Sequence, residues 1–217
     1  MKEKEGTLRS HGSGIPTDTT EMLKSMVKVT EAGCRGVLVT ENIILTVAHG
    51  FAPSDIHTET EETRVCTVTT MDGTLKARVS IIACDFRTDL AVLCCDHPDV
   101  YSESEWPRLR EQLNVAKMAT LKGRARLQMA TPIPTFVFNE KNIWVKTNSK
   151  RFPHAVYVTS DALSQGTSGS AVFDSQGRVI GLISRCGLEL NEDNVAIALP
   201  YVLPLFVYHD ILDSSRD

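Results

Sequence analysis

The sequence predicts an all-β fold, either a sandwich or a pair of barrels. Three observations carry that expectation. Short apolar runs of strand length recur along the chain. Turn residues separate them, with Asp72-Gly73 the strongest hairpin signal and Ser175-Gln176-Gly177 a second tight turn. No sequence repeat of solenoid type is present, so the strands must close on a core of their own.

Residues 1–20 are polar and rich in Gly, Ser and Thr, and read as a mobile tail. The first apolar series is Met26–Thr30, Cys34–Thr40, Ile43–Ala48, Val65–Thr70, Leu75–Cys84 and Leu90–Cys95. It defines a first unit over 21–103. Glu59–Glu62 is an acidic run suited to a solvated loop. The polar stretch from Asp96 to Gln112, with Pro98 and Pro107, reads as a crossover, and Ser104–Leu113 is spaced for a short helix. The second series is Val115–Thr120, Ala125–Ala130, Thr135–Phe138, Ile143–Thr147, Ala155–Ser160, Ser170–Phe173, Val179–Arg185 and Val195–Leu199. With a short C-terminal helix over Tyr201–Leu212, it makes a second unit, 104–217.

Composition narrows the function classes. With 42% hydrophobic and 23% charged residues, the 217-residue chain is ordinary for a globular protein. A net charge of −4 gives no bulk attraction to nucleic acid or to an anionic membrane, and neither partner is expected. The basic stretch Lys117, Lys122, Arg124 and Arg126 reads as a solvated strand face. No apolar run approaches the ~20 residues of a membrane helix. The first residues lack the apolar core of a secretory signal, so a cytoplasmic location is expected. The six cysteines show no metal-ligand spacing, so neither metal nor cofactor is expected. Most lie inside strand-like runs, where a free thiol behaves as a small hydrophobe.

Three segments carry chemistry. Thr46-Val47-Ala48-His49-Gly50 closes one apolar run, Asp89-Leu90-Ala91-Val92-Leu93 opens another, and Gly166-Thr167-Ser168-Gly169-Ser170 lies in a Gly-rich loop. They offer His, Asp and Ser in that order, each at a strand edge. A serine hydroxyl is a poor nucleophile at neutral pH and needs a base within hydrogen-bond reach. His49 can serve as that base, and Asp89 can fix its tautomer. The order separates this chain from the Ser-Asp-His and Asp-His-Ser arrangements of other serine hydrolases.

With Gly36–Thr40, Thr88–Leu93, Gln165–Ala171 and Gly181-Leu182-Ile183-Ser184, these segments resemble the trypsin-like serine peptidases of chymotrypsin fold. The likeness is closest to the HtrA/Deg peptidase domain, without a PDZ module, and covers roughly residues 25–205. It implies two six-stranded antiparallel β-barrels, with His49 and Asp89 from the first and Ser168 from the second. It implies backbone donors at Gly166 and Ser168 for the oxyanion, and an extended protein or peptide substrate pairing along Ser184, Arg185 and Cys186. It places Ala162 at the floor of the specificity pocket in strict register, or Asp161 after a one-residue bulge, with Ala196 and Ala198 on the wall.

The departures matter too. Cys34 matches one partner of a familiar disulfide, but Gly50 stands in place of the other. Thr167 stands where digestive relatives carry the Asp that pairs with a processed N-terminus. Ordering of the site by that route is therefore not expected. Three readings follow: an active endopeptidase, a defence or signalling protease awaiting an activating protein partner, and a catalytically quiet peptide-binding scaffold.

Overall fold

The computed structural model describes residues 19–51, 64–95, 105–119, 131–151, 155–160, 162–185, 194–197 and 199. Among these residues, twelve strands form two closed antiparallel barrels of six. The first contains β1 (Met26–Val29), β2 (Cys34–Leu38), β3 (Ile43–Val47), β4 (Val65–Thr70), β5 (Lys76–Asp85) and β6 (Leu90–Cys94), in the order β1-β2-β3-β6-β5-β4. The ring closes where β1 pairs β4, with Lys28 opposite Thr69. The second contains β7 (Ile133–Phe138), β8 (Trp144–Arg151), β9 (Ala155–Thr159), β10 (Ala171–Asp174), β11 (Val179–Arg185) and β12 (Asn194–Ile197), in the order β10-β11-β12-β9-β8-β7. It closes through Val172 opposite Val137.

The local causes are visible in the strands. β4 alternates half-buried and buried residues, so one face meets the core and the other meets water. β2 is buried throughout because it lies between the first barrel's core and the second barrel. At the Asp72-Gly73 turn, Asp72 Oδ1 accepts from Thr70 Oγ1 at 2.5 Å, Thr74 N at 2.9 Å and Thr74 Oγ1 at 2.8 Å. Those donors pull its carboxyl down to about 2. At the other turn Asp174 accepts from Gln176 N and Arg178 N, at 2.9 and 3.0 Å.

Leu38, Ile44, Leu45 and Leu93 fill the first barrel, and Phe136, Phe173 and Leu182 continue the same core into the second. Each such side chain contributes about 1.5–3 kcal/mol on burial. Trp144 packs on Phe138 and Phe173, with ring centroids 5.1 and 5.8 Å away.

Two sequence expectations change. Val115–Thr120 is not a strand: among its described residues, Met118 makes a single bridge to Val179. The segment ties the barrels together, with Ala116 N donating to Leu38 O at 2.8 Å and Val179 N to Lys117 O at 2.7 Å. A short helix, α1 (Thr19–Lys24), precedes β1 and tucks Met22 into the core, where the sequence suggested only the end of a tail. The crossover helix is α2 (Glu105–Arg110), which buries Trp106 and Leu109. Ala125–Ala130 and the helix expected over Tyr201–Leu212 lie outside the described residues. Among the described residues no helix is long and apolar enough to cross a membrane.

Cys34, Cys66 and Cys84 are free thiols. Burial pushes Cys34 up to about 11 and Cys66 up to about 12, from 9.0. The Thr46 hydroxyl, 3.1 Å from Cys34 Sγ, partly offsets this. A proton held more tightly when folded stabilises the protein fully below the unfolded value, and that stability is lost as pH rises through the folded one. Tm should therefore fall from pH 9 towards 11–12. In melting curves across that range, the slope should be shallower in the Cys34→Ala/Cys66→Ala protein. Parallel slopes would show that the thiols do not cause the loss.

Candidate active site

His49 follows β3 in a tight turn, where Phe51 N donates to Ala48 O at 2.9 Å. Asp89 precedes β6, the strand beside β3, so adjacent strand ends bring the two residues together. Ala48 N donates to Asp89 O at 2.9 Å, extending the ladder by one rung. Asp89 has φ 58°, a left-handed conformation that aspartate tolerates. The 86–89 turn is pinned by Asp85, which accepts from Arg87 N and Thr88 Oγ1, each at 2.9 Å. Those bonds hold the Asp85 carboxyl below its usual range.

The pair itself is tightly defined. Asp89 Oδ1 accepts from the His49 main-chain N–H at 2.8 Å, and Asp89 Oδ2 lies 2.8 Å from His49 Nδ1. With a proton on Nδ1, the imidazole turns Nε2 outward as an acceptor. The His49 side chain is 47% exposed and that of Asp89 18%, so the imidazole is accessible while the carboxylate is sheltered.

Ser168 lies in the loop before β10. Gly169 N donates to Ile183 O at 2.7 Å and Ile183 N to Ser170 O at 2.9 Å, which fastens the loop to β11. One residue further along β11, Ser184 Oγ donates to Asp89 Oδ2. A continuous set of bonds thus runs from the serine loop through β11 to Asp89 and His49. Gly166 and Gly169 both have positive φ, 96° and 77°. A Cβ at Gly169 would overlap the Arg35 carbonyl. Gly169→Ala should therefore cost at least about 2 kcal/mol, from the left-handed backbone and the overlap together. Urea unfolding with peptidase assays would measure it, and a stable, active Gly169→Ala protein would show that the loop can move away from β2.

The main-chain N–H groups of Thr167 and Ser170 are used inside the loop, donating to Ser164 O at 3.1 Å and to Thr167 O at 3.0 Å. Those of Gly166 and Ser168 donate to no acceptor among the described residues. Thr167 is buried, and its Oγ1 donates to Glu140 Oε2 at 2.8 Å. Burial works against the charge of Glu140, but bonds from Ser164 and Thr167 outweigh it and hold the carboxyl below its usual range. A surface cavity of about 340 Å³ adjoins the loop, lined by Lys28, Thr30, Gly33, Arg35, Thr69 and Gly166 among others.

The remaining expected site residues among those described lie on β11, on β12 and before the serine loop. Arg185 ends β11, exposed and paired with Val195, and Ala162 is exposed before the serine loop. Ala196 is fully buried in the second barrel's core. Asp161, Cys186 and Ala198 lie outside the described residues. Three groups were not singled out from sequence for what they do here: the Ser184 hydroxyl on Asp89, the buried guanidinium of Arg35, and Glu140. An arginine within the apolar run Cys34–Thr40 was the one available signal.

Two closed six-stranded barrels, with a histidine–aspartate pair at the rim of the first linked through β11 to the loop that carries Ser168, have the architecture of a two-barrel serine peptidase. The chain belongs to the trypsin-like peptidases: residues 34–182 match the family described as trypsin-like peptidase domain. It is a serine protease by family and a hydrolase by reaction class. No curated protein sequence is significantly similar to it. Among solved structures it resembles the Rv3671c protease of M. tuberculosis in its active form, with 14% identity and TM-score 0.55, covering 93% of this chain and 91% of that one. The inactive form of Rv3671c gives 14% identity and TM-score 0.56 over 88% and 94% of the two chains. A serine endoprotease from Yersinia pestis gives 16% identity and TM-score 0.57 over 93% and 69%. At these identities the structural likenesses speak for the fold.

Proposed function

We propose that the protein is an endopeptidase that cleaves peptide bonds through His49, Asp89 and Ser168, with an acyl-enzyme intermediate. The observation that carries this reading is the bonded set His49–Asp89–Ser184, joined through Ile183 to the loop that presents Ser168. His49 Nε2 takes the Ser168 proton as Oγ attacks the scissile carbonyl carbon. The C–O bond forms, and the carbonyl electron pair becomes an oxyanion. The N–H groups of Gly166 and Ser168, unengaged by other described residues, receive it. As the tetrahedral intermediate collapses, the C–N bond breaks and the His49 proton passes to the leaving amine. Water, deprotonated by His49, then attacks the ester carbon; the bond from that carbon to Ser168 Oγ breaks, and His49 returns the proton to Oγ.

The substrate is an extended protein segment that adds a strand along Ser184 and Arg185, with main-chain bonds supplying affinity. Ala162 at the pocket floor favours a small or apolar side chain before the cleaved bond.

Fluorophosphonate labelling of wild type and Ser168→Ala tests the assignment. Covalent labelling of the wild type alone is the expected result. Labelling of both would move the nucleophile elsewhere. Labelling of neither would favour a protease awaiting a partner, or a quiet scaffold.

A further inference from the structure

Outside the His–Asp–Ser set, the described residues include a buried arginine. Arg35 lies in β2 and is 5% exposed. One guanidinium nitrogen, Nη1, donates to Phe138 O and, at 3.1 Å, to Ser170 Oγ. The other, Nη2, donates to Asn139 O at 2.8 Å and to Asn142 Oδ1 at 3.3 Å. The group also lies 5.4 Å from the centre of the Phe138 ring. Burial lowers its pKa, and Glu140 acts through space in the opposite sense. Taking a cation out of water costs several kcal/mol, and an apolar side chain of similar volume would join two barrels for less. Packing alone does not account for an arginine here.

A donor fork can do what an apolar residue cannot: hold several segments in fixed directions. Arg35 joins three, namely β2 of the first barrel, the turn after β7 from Phe138 to Asn142, and Ser170 at the end of the serine loop. Its main chain grips the same loop. Arg35 N donates to Ser168 O at 2.9 Å, and its carbonyl abuts Gly169. That carbonyl is itself fixed by Thr46 Oγ1 at 2.6 Å, three residues before His49. From the other side Glu140, carried on the turn that Arg35 holds, accepts from Thr167. Residues 167, 168 and 170 are thus bonded to Arg35 or Glu140, and 169 is wedged against Arg35.

We propose that Arg35 and Glu140 are positioning residues that hold the Gly166–Ser170 loop in its reacting shape. They do so from within the fold, at the point where Thr167 offers no carboxylate to a processed N-terminus. The inference rests on the reading of Ser168 as nucleophile and of the 166 and 168 amides as oxyanion donors. Both amides must point at one locus. The Thr167 carbonyl, in the same peptide as the Ser168 N–H, accepts from Ser170 N, and the next peptide cannot turn without breaking the bond from Arg35 N to Ser168 O. The Thr167 side chain cannot leave without releasing Glu140.

The test compares wild type, Arg35→Met, Arg35→Lys, Glu140→Ala and Glu140→Gln. A fluorophosphonate supplies the rate of covalent inactivation and the concentration for half-maximal rate. Hydrogen exchange of peptides over 162–171 reports the loop, with peptides over β3 as reference. In Arg35→Met and Glu140→Ala the maximal inactivation rate should fall about 100-fold, the scale of losing one oxyanion donor, with the half-maximal concentration little changed. Loop exchange should rise while β3 exchange does not. Glu140→Gln, whose amide oxygen still accepts from Thr167, should recover most of the rate. Arg35→Lys should not, because a single ammonium cannot reach the same set of acceptors. If Arg35→Met fails to fold, Glu140→Ala decides. Wild-type inactivation and wild-type loop exchange in Glu140→Ala would overturn the proposal. If the wild type itself does not react, the protein is a protease awaiting a partner or a quiet scaffold, and exchange alone judges the clamp. A loosened loop in Glu140→Ala then supports it, and an unchanged loop overturns it.

Discussion

Ser168→Ala should lower turnover by about a millionfold and leave the fold intact, the scale measured when the nucleophile of such a triad is removed. The loop bonds explain why the two effects separate. What anchors residue 168 is its carbonyl, accepting from Arg35 N at 2.9 Å, and alanine keeps that bond. The hydroxyl lies in a part-exposed position, where loss of an oxygen shifts stability by about 0.5 kcal/mol or less. Ser170, two residues on, cannot take over: it is fully buried, and its hydroxyl accepts from Arg35 at 3.1 Å. What should remain is the slow background from the Gly166 and Ser168 amides acting on water attack. Steady-state hydrolysis of labelled casein, with melting curves for both proteins, makes the measurement. A Ser168→Ala protein that still cleaves casein at the wild-type rate would end the assignment.

The strands were legible because their limits are local. Asp72-Gly73 and Ser175-Gln176-Gly177 force turns whatever lies elsewhere, and the runs on either side become β4, β5, β10 and β11. Val115–Thr120 misled because Val115, Ala116, Met118 and Ala119 are apolar for a tertiary reason. They lie between the barrels and bond to Leu38 and Val179, rather than pairing as a strand. The helix α1 is six residues long, too short for periodicity to reveal. His49, Asp89 and Ser168 stood out because each keeps its own neighbours. Arg35 and Glu140 did not, because their meaning is set by distant partners: Phe138 is 103 residues from Arg35, and Thr167 is 27 from Glu140. Within a strand, one arginine reads as the outward residue of an alternating pattern. Only the approach of the second barrel turns that side chain into an interior one.

Asp89→Asn should fold normally and lose about 10⁴ in kcat, the loss known for this change in such triads. The hydrogen bonds around Asp89 show how. Asparagine replaces one carboxylate oxygen with an NH₂ group, and the amide must choose which way to face. At the Oδ1 position it would meet the His49 main-chain N–H, 2.8 Å away, a donor that cannot rotate. The NH₂ therefore takes the Oδ2 position. There the Ser184 hydroxyl can turn to accept, and His49 Nδ1, 2.8 Å away, can accept if it gives up its proton. That proton moves to Nε2, the nitrogen that must be bare to receive the Ser168 proton. Two donors would then face each other across the site. Asparagine also tolerates the left-handed backbone at this position, φ 58°, so the 86–89 turn should survive. The tautomer change is visible in the ¹⁵N shifts of His49, and kcat with melting temperature completes the test. An Asp89→Asn protein within tenfold of wild-type kcat would mean that something other than Asp89 orients the base.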